Sequence, residues 1–273
     1  MQGWQYRLEG WHWRADRIGE ASLRLFDSIR RFYGLTISVL GIGLRLQWLS
    51  HVAVKYVMVR QIYFTGVQSV PWVVLISLGA GVLAVYNIVI FAKSIQDMSL
   101  IGSLISNVLV QEIAPLFVTI FLLARSGVAV VTEVAHMHIR GEDMTLRSLG
   151  INIKEYLFWP RVMAFAVCGL ILTFMFVAIS IWVGGLISAW THQLNLIDFL
   201  VEVRRGTSIG EVLMMIGKGM LYPLLCCVML LDQGCRVGRD PNQIPVRATF
   251  GVLGSLMTVI LLDVLFVLLG GLL

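Results

Sequence analysis

Long apolar runs alternate with short polar segments along this chain, and the pattern predicts an all-α integral membrane protein. A helix needs about 20 mainly apolar residues to cross roughly 30 Å of hydrocarbon. The runs are continuous rather than alternating, which favours helices over barrel strands, and lipid cannot satisfy open backbone groups. Five predicted spans result: Val70–Phe91, Ile113–Ala135, Val162–Ile187, Ile209–Leu231 and Ala248–Leu272.

The region before the first span is amphipathic rather than apolar. Between Arg17 and Tyr33, apolar residues recur at three- and four-residue steps among arginines, which predicts a basic helix lying in the membrane interface. A docking arm for a partner is the alternative. The stretch from Tyr33 to Leu49 predicts a second interfacial or re-entrant helix. We therefore divide the chain into an N-terminal interfacial region, 1–60, and a five-span domain, 61–273.

Composition and charge agree with a membrane location. The chain is 58% hydrophobic and 14% charged, whereas soluble domains are about 25% charged. Sixteen basic residues fall on one side of the predicted spans and three on the other. The positive-inside rule then predicts a cytoplasmic N-terminus and a C-terminus outside. The net charge of +5 follows from this asymmetry, and nothing indicates nucleic-acid binding.

Charged residues lie within or beside the predicted spans. Each costs about 2.5–3.5 kcal/mol at the membrane centre, so such residues usually face a bundle interior or a cavity. Two interpretations stay open: the charges pair to fix helix register, or they line a polar route or headgroup site. Asp263 needs a cation, and Lys218 and Arg125 are available. Arg125 and Glu133 are too far apart for contact but could face a common interior. The set is Glu112, Arg125, Glu133, Lys218 and Asp263.

A short polar segment, 141–150, lies between the second and third spans. Acidic residues in its first turn and a basic residue in its last turn suit the helix dipole, and Gly150 can end the helix. The pattern predicts a helix of about two turns that docks on a partner; a simple capped turn is the alternative. The positions concerned are Glu142, Asp143, Met144, Leu146, Arg147 and Leu149.

Several signatures of catalysis are missing from the sequence. There is no phosphate-binding glycine loop, no nucleophile elbow and no cysteine pattern for a metal. We expect no enzymatic activity and no cofactor bound by this chain, so nucleotide hydrolysis would need another polypeptide. An ATP-independent lipid carrier or an intramembrane lipid-modifying protein is the alternative. No internal repeat or histidine cluster supports that alternative.

Several ordered motifs carry a resemblance to a known family. They are Val59–Val67, Gln111–Pro115, Ala124–Gly127 with Thr132-Glu133, Glu142–Met144, Leu149-Gly150, Pro160-Arg161, and Ala248-Thr249 with Leu262-Asp263. Together they resemble the permease subunits of MCE-associated ABC transporters, which include the MlaE phospholipid permeases. The resemblance covers roughly residues 55–270.

The resemblance implies a function and partners. Such permeases are homodimers in the bacterial inner membrane, with an interfacial helix and five spans. They pair with two ATPase subunits, which bind ATP and Mg, through a cytoplasmic coupling helix that matches Glu142–Leu149. A periplasmic, hexameric MCE-domain ring faces the lipid site, to which Glu112, Lys218 and Asp263 correspond. Gln111 and Thr145 depart from the family pattern, where an arginine and an acid are usual.

Overall fold

The computed structural model describes residues 30–39, 41–42, 52–95, 100–192, 195–238 and 240–270. Within these ranges the chain is helical apart from short turns and contains no strand, as predicted. The predicted basic helix from Arg17 to Tyr33 lies almost wholly outside the described residues. Of the second predicted interfacial stretch, residues 33–39 and 41–42 are helical, and the rest also lies outside.

Among the described residues, five helical segments are long and apolar enough to cross a membrane, which confirms the predicted number. Two of them, the first and the second, contain π-helical or 3₁₀-helical segments between their regular α-helices. We number the segments as span 1 to span 5: Val54–Ser94, Ile101–Ile139, Lys154–Thr191, Ile209–Cys235 and Gln243–Leu268. The regular helices within and between them are Val52–Thr65, Val70–Ile76, Val82–Ser94, Leu100–Leu104, Ala114–Leu122, Val128–Ile139, Glu142–Ser148, Trp159–His192, Leu196–Gly206, Ile209–Cys235 and Gln243–Gly270.

The spans are longer than the sequence predicted because helices continue past the apolar runs. Span 1 has 41 residues, about 60 Å of helix, whereas the hydrocarbon core is about 30 Å thick. A break at Gly66–Ser69 separates its first helix, Val52–Thr65, from the more apolar part. Arg161 falls just before the predicted third span, whereas in the structure it lies inside span 3 and is 1% exposed. An apolar run in the sequence ends at a charged residue, even where a neighbouring helix supplies a partner for that charge and the helix continues.

Contacts between the spans define the direction of each. Spans 1 and 3 run in the same direction, and so do spans 2 and 4, while span 5 returns antiparallel to span 4. We call the end that holds the Glu142–Ser148 helix end A, and the end that holds the Leu196–Gly206 helix end B. The pairs that establish these directions are Gly66–Cys168 and Gly184–Val85; Glu112–Lys218 and Gly234–Val134; and Lys218–Asp263 and Cys226–Ser255.

Small residues allow the helices to approach closely. Lipid offers no hydrophobic drive for helices to associate, so membrane bundles depend on tight van der Waals packing at small side chains. A Cβ atom added at Gly184 would lie 2.7 Å from the Val85 Cβ atom. At end B, Gly102 in span 2 and Gly206 in the 196–206 helix face each other, and a Cβ atom on either would overlap the backbone of the other segment.

We expect a Gly102→Ala substitution to destabilise the protein. The new methyl group would overlap the Glu202 carbonyl group, and overpacking of this kind costs about 1–3 kcal/mol. Gly79→Ala is the matched control, because nothing lies within 4 Å of a Cβ atom at Gly79. Thermal unfolding of the purified proteins in detergent measures the effect. Equal midpoints for the two variants would contradict the observed packing of the 196–206 helix on span 2.

The short helix Glu142–Ser148 has seven residues and lies between two glycines, Gly141 and Gly150. Gly141 precedes it with φ of 70°, and Gly150 follows it with φ of 76°. Both angles lie in the left-handed region, which glycine adopts without steric cost. Gly150 is therefore the helix stop that the sequence predicted.

A charged cluster between spans 2, 4 and 5

One lysine joins three spans at the end B half of the bundle. The Lys218 ammonium group donates hydrogen bonds to both Glu112 oxygens, at 2.7 and 2.6 Å, and to Asp263 Oδ1 at 3.0 Å. The Tyr222 hydroxyl group donates to the same Asp263 oxygen at 2.7 Å. The Lys218 ammonium group also lies 5.7 Å from the centre of the Phe266 ring. Of the two cations that sequence left open for Asp263, Lys218 is therefore its partner.

Helical spacing explains why these side chains meet. Lys218 and Tyr222 are four residues apart and share one face of span 4. Asp263 and Phe266, three residues apart, share one face of span 5 and approach the same point. Glu112 lies in a π-helical segment of span 2, Ile105–Ile113, just before Pro115. Proline has no N–H group to donate, so a regular helix is already weakened there.

The cluster carries an unbalanced charge. Lys218 is almost fully buried, with 3% of its side chain exposed, whereas 31% of Glu112 and 19% of Asp263 is exposed. Two carboxylates around one ammonium group leave a formal charge of −1. The accessible side of the cluster is therefore the acidic side. A positively charged group that approaches it would be attracted, and a free anion would be repelled.

Arg125 does not join this cluster. Its guanidinium group donates to the Phe64 carbonyl group at 3.0 Å, to Gln68 Oε1 at 3.2 Å and to the Ser69 hydroxyl group. These acceptors belong to the break in span 1, where the chain leaves carbonyl groups without helical partners. Arg125 thus fixes the position of the break against span 2. Its membership of a lipid site stays a prediction.

Glu133 also lies apart from the cluster. Glu133 Oε1 accepts a hydrogen bond from Arg161 Nη2 at 2.7 Å. The two residues join the end A halves of spans 2 and 3. The predicted common interior of Arg125 and Glu133 is thus two separate contacts, one to span 1 and one to span 3. The structure brings together three of the five predicted charges, Glu112, Lys218 and Asp263.

Sequence analysis missed three residues that shape these contacts. Tyr222 and Phe266 gave no signal because tyrosine and phenylalanine are ordinary in an apolar run, and Arg161 falls just before the predicted third span. The four-residue spacing of Tyr222 from Lys218 was the available signal. Nearby, the Ser106 hydroxyl group donates to Glu211, which forms a capping box with Ser208 at the start of span 4.

The 142–148 helix presents polar and apolar side chains away from the bundle. Met144 and Leu149 are 71% and 69% exposed, while Leu146 is half-buried. Two contacts between side chains tie the start of the helix to the end of span 2: His138 Nδ1 lies 3.1 Å from Asp143 Oδ2, and Arg140 pairs with Glu142 at 3.7 Å. Arg147 is exposed in the last turn.

Comparison with known proteins now decides the family. The family model described as "Permease MlaE" matches residues 58–269, which include all five spans apart from a few terminal residues. The chain belongs to the MlaE permease family.

Relatives of this permease are distant but extend over much of the chain. It is 25% identical over 160 residues to the intermembrane phospholipid transport system permease protein MlaE of Haemophilus influenzae, covering 55% of the chain and 61% of that protein. It is 20% identical over 248 residues to a probable ABC transporter permease of Rickettsia bellii, covering 90% of the chain and 93% of that protein. It is 22% identical over 163 residues to TRIGALACTOSYLDIACYLGLYCEROL 1, a chloroplastic protein of Arabidopsis thaliana, covering 60% of the chain and 47% of that protein.

Gln111 precedes Glu112 and stands beside the cluster. It is one of the two positions at which the sequence resemblance implies a departure from the family. Its amide group donates to Asn107 Oδ1 at 3.0 Å, one helical turn away. An arginine there would have added a positive charge next to Glu112. Because Gln111 is neutral, it leaves the formal charge of the cluster at −1.

Proposed function

We propose that this permease is the non-catalytic membrane subunit of an ABC transporter for phospholipid or another lipid. It would move lipid between the bacterial inner membrane and a periplasmic MCE-domain partner, driven by a separate ATPase. The observation that carries the proposal is the Glu112–Lys218–Asp263 cluster, buried among apolar spans in a member of the MlaE family. The names of two relatives, one a phospholipid permease and one a probable ABC transporter permease, support the same function.

The charge of the cluster supports a role with lipid headgroups. Charges in apolar spans are costly and are usually retained for a function. The exposed side of the cluster is acidic, which suits the ammonium group of a zwitterionic phospholipid better than an anionic headgroup. The lipid would bind with its headgroup against Glu112 and Asp263 and its chains along the exposed apolar surfaces of the spans.

The two ends of the molecule suit different partners. The 142–148 helix at end A connects two spans and carries exposed apolar side chains. These features suit docking of the ATPase at the cytoplasmic face. End B, where the cluster lies, would then face the periplasmic ring. Only 17% of the most apolar part of span 5 is buried within the chain. This surface suits lipid or the second copy in a homodimer.

Reconstituted transport tests the proposal. The chain is purified in mild detergent with its co-purifying subunits, inserted into vesicles of phosphatidylethanolamine and phosphatidylglycerol, and assayed for lipid transfer to an MCE-domain protein. We expect transfer to need both ATP and the ATPase. Transfer by the chain alone at the same rate would favour the ATP-independent carrier and overturn the proposal.

A further inference from the structure

A cavity with polar lining residues lies at end A, away from the Lys218 cluster. Its volume is about 660 Å³, within the range of roughly 300–1,000 Å³ that is usual for ligand sites. Three segments form its walls: the Val52–Thr65 helix, the last part of span 2 and the start of span 3. The polar side chains that line it include Tyr56, Arg60, Gln61, Glu133, Tyr156 and Arg161.

Arg161 has unused hydrogen-bonding capacity in this cavity. Its side chain is 1% exposed, and Nη2 donates to Glu133 at 2.7 Å. Its Nε and Nη1 atoms are buried and have no hydrogen-bond partner among the described residues. A buried donor without an acceptor costs about 1–3 kcal/mol, and more when it is charged. Arg161 lines the cavity, so an oxygen-rich anion that reached its guanidinium group would supply the missing acceptors.

The formal charge of the cavity points to the same kind of ligand. Arg60 and Arg161 contribute two positive charges and Glu133 one negative charge, which leaves +1 when His136 is counted as neutral. Arginine is well suited to phosphate because its planar group donates several directed hydrogen bonds. Apolar side chains, among them Val57, Phe64 and Leu157, line the rest of the cavity and offer a surface to hydrocarbon.

The depth of the cavity matches the opposite leaflet from the cluster. Glu112 and Glu133 are on the same span and 21 residues apart in the sequence, which is about 30 Å along a helix. This separation is close to the thickness of the hydrocarbon core, about 30 Å. The two sites are therefore separated by about the thickness of the hydrocarbon core, and they carry opposite formal charges.

We propose that the end A cavity binds the phosphate group of an anionic membrane lipid through Arg60 and Arg161. The lipid belongs to the leaflet at end A, and its acyl chains lie against the apolar side of the cavity. The assignment goes beyond the transport function, since it concerns equilibrium binding at a different site and needs neither ATP nor a partner subunit.

Photocrosslinking in nanodiscs tests the assignment. The photoreactive analogue p-benzoylphenylalanine replaces Phe64, which lines the cavity, or, as a control, the similarly exposed Phe250 on span 5. The full chain is placed in phosphatidylcholine nanodiscs that contain a small fraction of radiolabelled phosphatidylglycerol. Labelled phosphatidylcholine at the same fraction is the comparison. We expect phosphatidylglycerol to be enriched at Phe64 and not at Phe250.

Arginine variants show whether the labelling depends on the cavity. We expect Arg60→Gln and Arg161→Gln each to lower phosphatidylglycerol labelling at Phe64 by about tenfold, because each removes charge-assisted hydrogen bonds. Arg140→Gln is the matched control at the same end, since Arg140 pairs with Glu142 outside the cavity, and it should leave labelling unchanged. Arg60 is exposed, so its variant is expected to fold even where Arg161→Gln does not.

Two results would overturn the assignment. Unchanged labelling at Phe64 in the Arg60→Gln variant would mean that the arginines do not recognise the lipid. Loss of labelling when inorganic phosphate is added would mean that a soluble phosphate compound, rather than a lipid, is the ligand. Failure of ATP-driven transport would leave these measurements unaffected, so the two proposals are tested separately.

Discussion

Replacing Lys218 with methionine is expected to have the largest effect of any single substitution in this permease. The change leaves Glu112 and Asp263 facing each other without their shared cation. Loss of one partner from a buried ion pair costs about 3–5 kcal/mol, because the remaining charge stays desolvated. We expect little folded protein and no lipid transport from Lys218→Met, measured by yield in detergent, thermal unfolding and the reconstituted transfer assay.

A compensated variant separates folding from function. The triple substitution Lys218→Met, Glu112→Gln and Asp263→Asn removes all three charges and leaves no unpaired ion. We expect it to fold nearly as well as the wild type, because a buried ion pair adds little net stability over neutral side chains. It should still fail to transport lipid. Normal transport by the triple variant would mean that the charges only fix helix register.

The second large effect is expected at the 142–148 helix. Leu149→Asp places a charge on a 69% exposed apolar side chain, so the fold should tolerate it. If the helix docks on an ATPase, the buried charge at that interface should weaken association by about a hundredfold or more. We expect the ATPase to be lost from the complex when the permease is purified, while the thermal unfolding midpoint stays the same. Leu146→Asp tests the same contact less cleanly, because Leu146 is half-buried.

A matched control uses the other short helix. Ile197 is 75% exposed on the 196–206 helix at end B, and Ile197→Asp is a comparable change at the opposite end of the molecule. We expect this variant to keep its ATPase. Loss of the ATPase from the Ile197 variant alone would place the docking surface at end B and reverse the proposed orientation.

The number of spans and the short helix could be predicted because both depend on local sequence. Continuous apolar runs are sufficient to predict membrane helices. Gly141 and Gly150 bracket a polar turn whose charges suit a helix dipole. The partner of Asp263 could be narrowed to two cations, Lys218 and Arg125, because a carboxylate within a span needs a positively charged partner.

The remaining features depend on contacts between distant segments. The break at Gly66–Ser69 has no strong local signal, and Arg125 holds it from another span. Arg161 falls outside the predicted third span because its pairing with Glu133 cannot be seen in a linear pattern. The cavity at end A likewise requires three segments that are far apart in sequence to meet.

The Lys218 cluster also implies an order of assembly. A chain made from its N-terminus inserts spans 2 and 4 before span 5, so Lys218 can already be paired with Glu112 when Asp263 leaves the ribosome. Span 5 then inserts next to Lys218, which is already in place. Asp263 therefore has a cationic partner as soon as it enters the membrane. A nascent chain stopped before span 5 would retain a balanced pair of charges, and completion of synthesis adds the surplus negative charge last.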